Sequence, residues 1–220
     1  MTAKATPPSP PERQFSAPCE RNRAPILAVL QRVLPDTGLM VEIAAGTGQH
    51  AAYFAPEFPG LTWQPTEPNP IGRASIDAWA AEAYAAKAGA GKTGATNLLA
   101  AMDLDVTDPT WPIKEEAAAA YSANMVHIAP WECCLGLMAG TGRTLSDTGV
   151  LILYGPFLKD GLHTAPSNAQ FDDSLRRRDP AWGIRDLADV ILAAADNGLT
   201  HFETVEMPAN NMMQIFHRRS

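Results

Sequence analysis

Carboxylates recur at the ends of apolar runs in the first half of the chain: Glu42, Glu67, and the close pair Asp103 and Asp105. Glu42 lies in the short run Leu39 to Ile43 and is followed by Ala44-Ala45-Gly46-Thr47-Gly48-Gln49-His50. A buried strand that turns sharply through glycines into a helix start makes a nucleotide cradle. The glycines let the backbone approach a ligand closely, and the helix start offers free N–H groups. Gly46-Thr47-Gly48-Gln49-His50-Ala51 fits the dinucleotide fingerprint G-x-G-x-x-A. Glu42 discriminates among nucleotides, because its charge repels a pyrophosphate and attracts an ammonium or sulfonium group. Ala44, Gly46 and Gly48 are the turn residues expected nearest such a ligand. Glu67 follows Glu42 by 25 residues, about one helix and one strand. That spacing places it either at the tip of the neighbouring strand, where a carboxylate accepts hydrogen bonds from ribose hydroxyls, or on a loop. Asp105, with Val106 after it to pack on a ring, and Asp103 just before it both suit an adenine amino group.

Further along, Asn124, His127, Trp131 and Glu132 fall where a doubly wound sheet ends its fourth strand, outside which substrates lie. His127 has two readings: a base for an acceptor proton, since neutral imidazole is available near pH 7, or a hydrogen-bonded positioning group. Trp131, Tyr154 and Asn168 are candidates for an acceptor pocket. The five histidines, His50, His127, His163, His201 and His217, have no metal-ligand spacing. Gly91-Lys92-Thr93 imitates the end of a P-loop, but Ala86 stands where the motif needs Gly, and a helix rather than a strand precedes it.

These residues need elements to position them. Met1 to Arg13 is rich in Pro, Ser and Thr and reads as a disordered tail, with a domain boundary set at 17/18. Pro25 opens a helix with Ile26, Val29, Leu30 and Val33 on one face, and Arg21 and Asn22 fall just before it. Strands follow at Leu39–Ile43, Leu61–Pro65, Asn97–Met102, Tyr121–Ile128 and Val150–Pro156. Helices intervene: Ala51–Ala55, Ile76–Lys87 behind the Asn69-Pro70 start, a short one over Trp111–Ala119, and one through Cys134–Leu145. Residues 157–182 form a polar, lid-like insertion that is also compatible with a surface excursion. A helix over Ile184–Asp196 and a strand pair, Thr200–Met207 and Met212–Arg218, close the chain.

The chain has 220 residues, 46% hydrophobic and 19% charged, enough for one domain with a sizeable core. A net charge of −7 and no basic run disfavour binding to nucleic acid. The three cysteines, Cys19, Cys133 and Cys134, fit reduced thiols in a cytoplasmic compartment, and no apolar run reaches membrane-span length. The oligomeric state is not legible.

Glu42 followed by spaced small residues resembles motif I of the class I methyltransferases, with Ala44 at the position of the first glycine. The chain also resembles a methyltransferase-like domain-of-unknown-function family that includes a human methyltransferase-like protein. That likeness runs from about Pro18 to Arg218. It rests on Cys19-Glu20-Arg21-Asn22-Arg23, Thr62-Trp63-Gln64-Pro65, Asn124-Met125-Val126-His127-Ile128-Ala129-Pro130-Trp131-Glu132, Tyr154-Gly155-Pro156-Phe157, His163-Thr164-Ala165-Pro166-Ser167-Asn168, Trp182-Gly183-Ile184-Arg185-Asp186 and Glu206-Met207-Pro208-Ala209-Asn210-Asn211. The resemblance implies a doubly wound, Rossmann-like α/β sheet, mostly parallel with an antiparallel terminal strand. It also implies S-adenosylmethionine as methyl donor and a small-molecule acceptor. In that frame Arg21 binds the methionyl carboxylate, Glu42 the methionyl ammonium and sulfonium, Glu67 the ribose and Asp105 or Asp103 the adenine. Asn124 is a further donor contact, and Asn22 joins the acceptor candidates. An NAD-dependent oxidoreductase is the second reading, opposed by Glu42 and by the lack of a recognisable Tyr-x-x-x-Lys pair. A non-catalytic cofactor-binding protein is the third.

Overall fold

The structure, a computed structural model, describes residues 13–89 and 97–219. The first helix, α1 (Ala17–Val33), starts eight residues before the expected Pro25, which sits inside it. Arg21 and Asn22 therefore ride on the helix rather than preceding it. The helix buries Ile26, Val29 and Leu30 and ends at Leu34, ahead of Pro35. Residues ahead of 18 also make contacts with α3. The Gln14 N–H donates to Ser75 Oγ (2.8 Å), the Trp79 indole donates to the Gln14 carbonyl (2.9 Å), and Arg13 stacks on the Trp79 ring. The remainder of the proposed tail, residues 1–12, lies outside the described residues.

β1 (Gly38–Glu42) leads through the glycine turn into α2 (Gln49–Phe54), and β2 (Leu61–Pro65) follows. α3 (Pro70–Gly89) is capped by Asn69, whose Oδ1 accepts from the Ile71 N–H at 2.8 Å, as the Asn-Pro pair predicts. Gly91, Gly94 and the P-loop imitation Gly91-Lys92-Thr93 fall outside the described residues. Residues 97–102 lie along β2 but make only two isolated parallel bridges, Trp63 with Leu98 and Thr66 with Met102, instead of a full third strand.

β3 (Ala117–Ala123) replaces the end of the helix expected over Trp111–Ala119. Trp111 is a core residue whose ring lies against Gly140, so this segment is fixed by packing rather than by helical periodicity. The strand also stops five residues sooner than Ile128, because Asn124 turns left-handed at φ 61°. α4 (Trp131–Thr144), β4 (Leu145–Gly155), a hairpin of β5 (Leu158–Lys159) and β6 (Leu162–His163), α5 (Pro166–Arg178), α6 (Leu187–Ala195), β7 (Leu199–Met207) and β8 (Asn211–Arg218) complete the order. α6 starts after Asp186, whose side chain accepts from the Ala188 N–H.

The main sheet has the order β2-β1-β3-β4-β8-β7. Its first four strands are parallel, and β8 and β7 each run antiparallel to the neighbour before them. One face buries Ile26, Leu30, Phe54, Trp63 and Ala80 beneath α1, α2 and α3. The other buries Leu137, Met138, Val190 and Ala194 from α4 and α6. The order in which strands are added across the sheet reverses between β1 and β3, so the carboxyl ends of these parallel strands flank a crevice at the switch point. No described helix is long and apolar enough to cross a membrane, and the described residues hold no group of three or more metal-ligating side chains.

Candidate functional site

The turn after β1 is shaped by what it must pass. Ala44, Gly46 and Gly48 all have positive φ (54°, 58° and 87°), and Ala44 holds its left-handed geometry at a cost of about 1 kcal/mol. At Gly48 a Cβ would lie 2.5 Å from the Ile76 backbone, so close packing of α3 demands glycine. At Gly46 a Cβ would meet nothing within 4 Å, which marks the open side of the turn. Hydrogen bonds from Ala45 N–H to the Thr66 carbonyl (2.9 Å) and from Ile43 N–H to the Tyr121 carbonyl (2.8 Å) tie it to both flanking strands.

Glu67 faces this turn. Its Oε2 accepts from the Gly46 N–H at 3.0 Å and its Oε1 from the Asn69 N–H at 3.1 Å, leaving lone pairs on each oxygen. Gly72 accommodates it, since a Cβ there would come within 2.7 Å of the Glu67 side chain. Asp103 is exposed and pairs with Arg73 Nη1 at 2.9 Å, while that nitrogen also donates to the carbonyls of Glu67 and Pro68. Asp105 is exposed too, but its Oδ1 accepts from the N–H and hydroxyl of Thr107, closing its own turn. Leu104 between them is a core residue.

Glu42 does not stand at an open rim. It is 2% exposed, and its Oε2 accepts from the Trp63 indole at 2.7 Å. Burial pushes its carboxyl up to about 8, partly offset by the indole hydrogen bond. Its charge is felt by the Tyr121 phenol and the Cys19 thiol, both raised chiefly by burial. Around it, α1 is fastened to the turn. The Ser16 N–H bonds Gln49 Oε1, and His50 Nε2 lies 2.8 Å from Asn22 Oδ1. Tyr154, near the end of β4, is buried, and burial raises its phenol pKa while the Asn22 amide opposes the rise. Arg21, next to Asn22, is exposed.

The second candidate cluster follows β3. The Asn124 N–H donates to the Tyr154 carbonyl at 2.7 Å, and its own carbonyl accepts from the His127 N–H at 2.9 Å. His127 is completely buried. Its Nδ1 accepts from the Arg185 backbone N–H at 3.3 Å, its carbonyl accepts from the Gly183 N–H at 2.9 Å, and its ring meets the edge of Phe157. Its Nε2 has no partner among the described residues and lies where a Cβ on Gly155 would be 2.6 Å away. Burial, and then the Arg185 charge, lower its pKa to about 3. Arg185 Nε donates to the Val126 carbonyl (3.0 Å), and Nη2 donates to the Ala129 and Ala181 carbonyls (2.7 Å each), with the guanidinium over Trp131. Trp131 borders a groove of about 900 Å³ between α4, α6 and the β5–β6 hairpin, which the turn residues do not line. Asn168 is 6% exposed and donates to Thr164 Oγ1 and the Asn210 carbonyl, fastening α5 to the β7–β8 connection.

The residues at the turn thus come together: Ala44, Gly46, Gly48 and Glu67, with Asp103 joined through Arg73, and Asn22 and Tyr154 across from them. Trp131 and Asn168 belong to the other cluster. The sequence reading left out His50, Cys19, Arg73 and Arg185. His50 was visible inside the glycine motif, yet its distance from other ligand-type residues told only against a metal.

A family model described as "Protein of unknown function (DUF938)" matches residues 13–218. Among solved structures, an O-methyltransferase family protein from Burkholderia thailandensis is similar at 16% identity and a TM-score of 0.71, over 90% of this chain and 56% of that one. The S-adenosylmethionine-dependent methyltransferase SibL is 16% identical with a TM-score of 0.71, over 92% of this chain and 56% of its own. CalO1, a methyltransferase in calicheamicin biosynthesis with bound S-adenosylhomocysteine, is 15% identical with a TM-score of 0.67, over 90% of this chain and 54% of its own. The chain spans little more than half the length of each of these structures. At such identities the likeness is one of fold, the Rossmann-like methyltransferase sheet expected from the sequence.

Proposed function

The chain belongs to the DUF938 family, and we propose that it is an S-adenosylmethionine-dependent methyltransferase acting on a small-molecule acceptor. The observation that carries this reading is the open space over Gly46, bordered by a Glu67 carboxylate turned toward the same turn. Kinship with the human methyltransferase-like protein is part of the same proposal, as is a cytoplasmic setting.

The residues present fit a cationic sulfur nucleoside. Glu67 has free lone pairs for ribose hydroxyls, and Asp103, held by Arg73, is better presented to adenine than Asp105, which is spent on Thr107. Glu42 is a poor anion while nothing compensates its burial, and a nearby cation favours its ionised form. Arg21, exposed on α1, is available for a carboxylate. When bound, the sulfonium supplies an activated methyl group, so the protein's main contribution is alignment. Asn22 and Tyr154 orient the acceptor across the turn. His127 is better suited to positioning than to proton removal, since no face of it is open and its ring is held neutral.

That burial favours an acceptor that brings its own nucleophile, such as a thiolate. His50, also buried, is engaged at both ring nitrogens. Calorimetric titration with S-adenosylhomocysteine tests the donor site: wild type should bind, and Glu67→Ala should bind about ten- to a hundredfold more weakly. Unchanged affinity removes Glu67 from the ribose site, and stabilisation by NADH instead would favour the oxidoreductase reading. Incubation with labelled S-adenosylmethionine and a metabolite extract tests catalysis. Donor binding without any labelled product would favour a non-catalytic cofactor-binding protein.

A further inference from the structure

We propose that His50 is a positioning residue: it latches α1 onto the glycine turn and fixes the direction of the Asn22 amide, so that α1 stays closed over the donor crevice. This rests on the methyltransferase reading above.

The latch is visible as a matched set of contacts. Ser16 precedes α1 as its cap residue and Asn22 lies in the second turn of the helix. They meet adjacent residues at the start of α2. The Ser16 N–H bonds Gln49 Oε1, and Asn22 Oδ1 meets His50 Nε2 at 2.8 Å. Gln49 and His50 are 3% and 4% exposed, so these bonds are shielded from water.

The tautomer of His50 follows from its partners. The Asn22 oxygen only accepts, so Nε2 carries the proton and Nδ1 is left with a lone pair. The Tyr121 hydroxyl lies 3.4 Å from Nδ1 and donates to it. Phe54 stacks on the ring at 5.0 Å and fixes its plane. With its oxygen pinned, the Asn22 amide turns its NH₂ away from His50. Arg21, the next residue along α1, is carried into place by the same contact. His50 therefore needs no contact with donor or acceptor to matter for both.

A pair of substitutions separates the latch from simple packing. Gln places an N–H near the position of Nε2, whereas Asn reaches only as far as Nδ1, and both lose the aromatic ring. His50→Gln and His50→Asn should therefore melt at similar temperatures. By titration with S-adenosylhomocysteine, His50→Gln should stay within about threefold of wild type, and His50→Asn should bind about tenfold more weakly, the scale of one shielded hydrogen bond. Asn22→Ala, made from the helix side without touching the core, should match His50→Asn, and the double variant should be no worse than either single one. Equal affinity in the Gln and Asn variants, or additive losses in the double variant, would overturn the latch. A wild-type chain that takes up no S-adenosylhomocysteine overturns the methyltransferase reading itself, and the latch with it.

Discussion

Two clusters of polar residues sit at the carboxyl edge of the sheet, and they differ in what their hydrogen bonds leave over. Beside the glycine turn, Glu67 retains lone pairs, a Cβ at Gly46 would meet no atom, and Arg21 is exposed. After β3, His127, Arg185 and Asn168 are all bonded to backbone groups of other segments, and they hold the return from α5 against the β3–α4 turn. Residue type suggests chemistry in both places. Open space beside unspent hydrogen-bonding capacity marks a site that can receive a ligand, whereas the unpartnered His127 Nε2 of the second cluster is completely buried against Gly155.

The largest effect expected from this contrast is on stability at the second cluster. His127→Ala removes a completely buried ring, its contact with Phe157 and its bond from the Arg185 N–H. It should cost about 2–4 kcal/mol in urea unfolding, while the folded variant keeps donor affinity near wild type. Glu67→Ala should do the opposite, with little change in the unfolding midpoint and a large loss of affinity. If His127→Ala abolished labelled product without loss of stability, the two clusters would have exchanged roles.

The pH dependence of unfolding sharpens the same comparison. Glu42 is raised to about 8 in the folded chain, above the ordinary carboxylate range, so folding binds a proton that the unfolded chain has released. Its contribution to stability is present below about pH 4.5 and is lost as pH rises to 8, amounting to a few kcal/mol. His50 and His127 are lowered to about 4 and 3, so their contributions are present above pH 6.5 and are lost as pH falls toward those values. Two imidazoles outweigh one carboxyl below pH 6.5, and only Glu42 acts between 6.5 and 8. Stability measured by denaturant across this range should peak near pH 6.5, and Glu42→Gln should flatten the alkaline limb. A limb unchanged in that variant would show that Glu42 ionises freely.

The first two strands, the glycine turn and the cap at Asn69 were legible because they depend on local signals: apolar runs, glycines and an Asn-Pro pair. Three things were not. Pro25 reads as a helix start, but a proline inside a helix removes only one hydrogen bond, and packing of Ile26, Val29 and Leu30 outweighs that loss. Trp111 to Ala119 has helical composition, yet Trp111 is claimed by the core at Gly140, and Ala117 onward is a strand between two others. The orientation of Glu42 depends on Trp63, a partner 21 positions away that no spacing rule identifies. The meeting of Gly46 with Glu67 was legible from spacing, whereas the surroundings of Glu42 and His127, set by distant partners, were not.

The smallest expected effect decides between Asp103 and Asp105. Both are exposed, so neither should matter much for folding. The Asp103–Arg73 pair at 2.9 Å is a surface ion pair, worth under about 1 kcal/mol. Their partners differ, however. Asp105 is committed to Thr107 within its own turn, whereas Asp103 is held by the same Arg73 that grips the carbonyls after β2. If adenine lies at the tip of the 97–102 segment, Asp103→Asn should weaken S-adenosylhomocysteine binding by a few fold, with a similar loss for adenosine alone. Asp105→Asn should change neither, because its turn can form with an amide oxygen as well. The reverse ranking would place the adenine on the Val106 side of the segment and would detach Arg73 from the donor site.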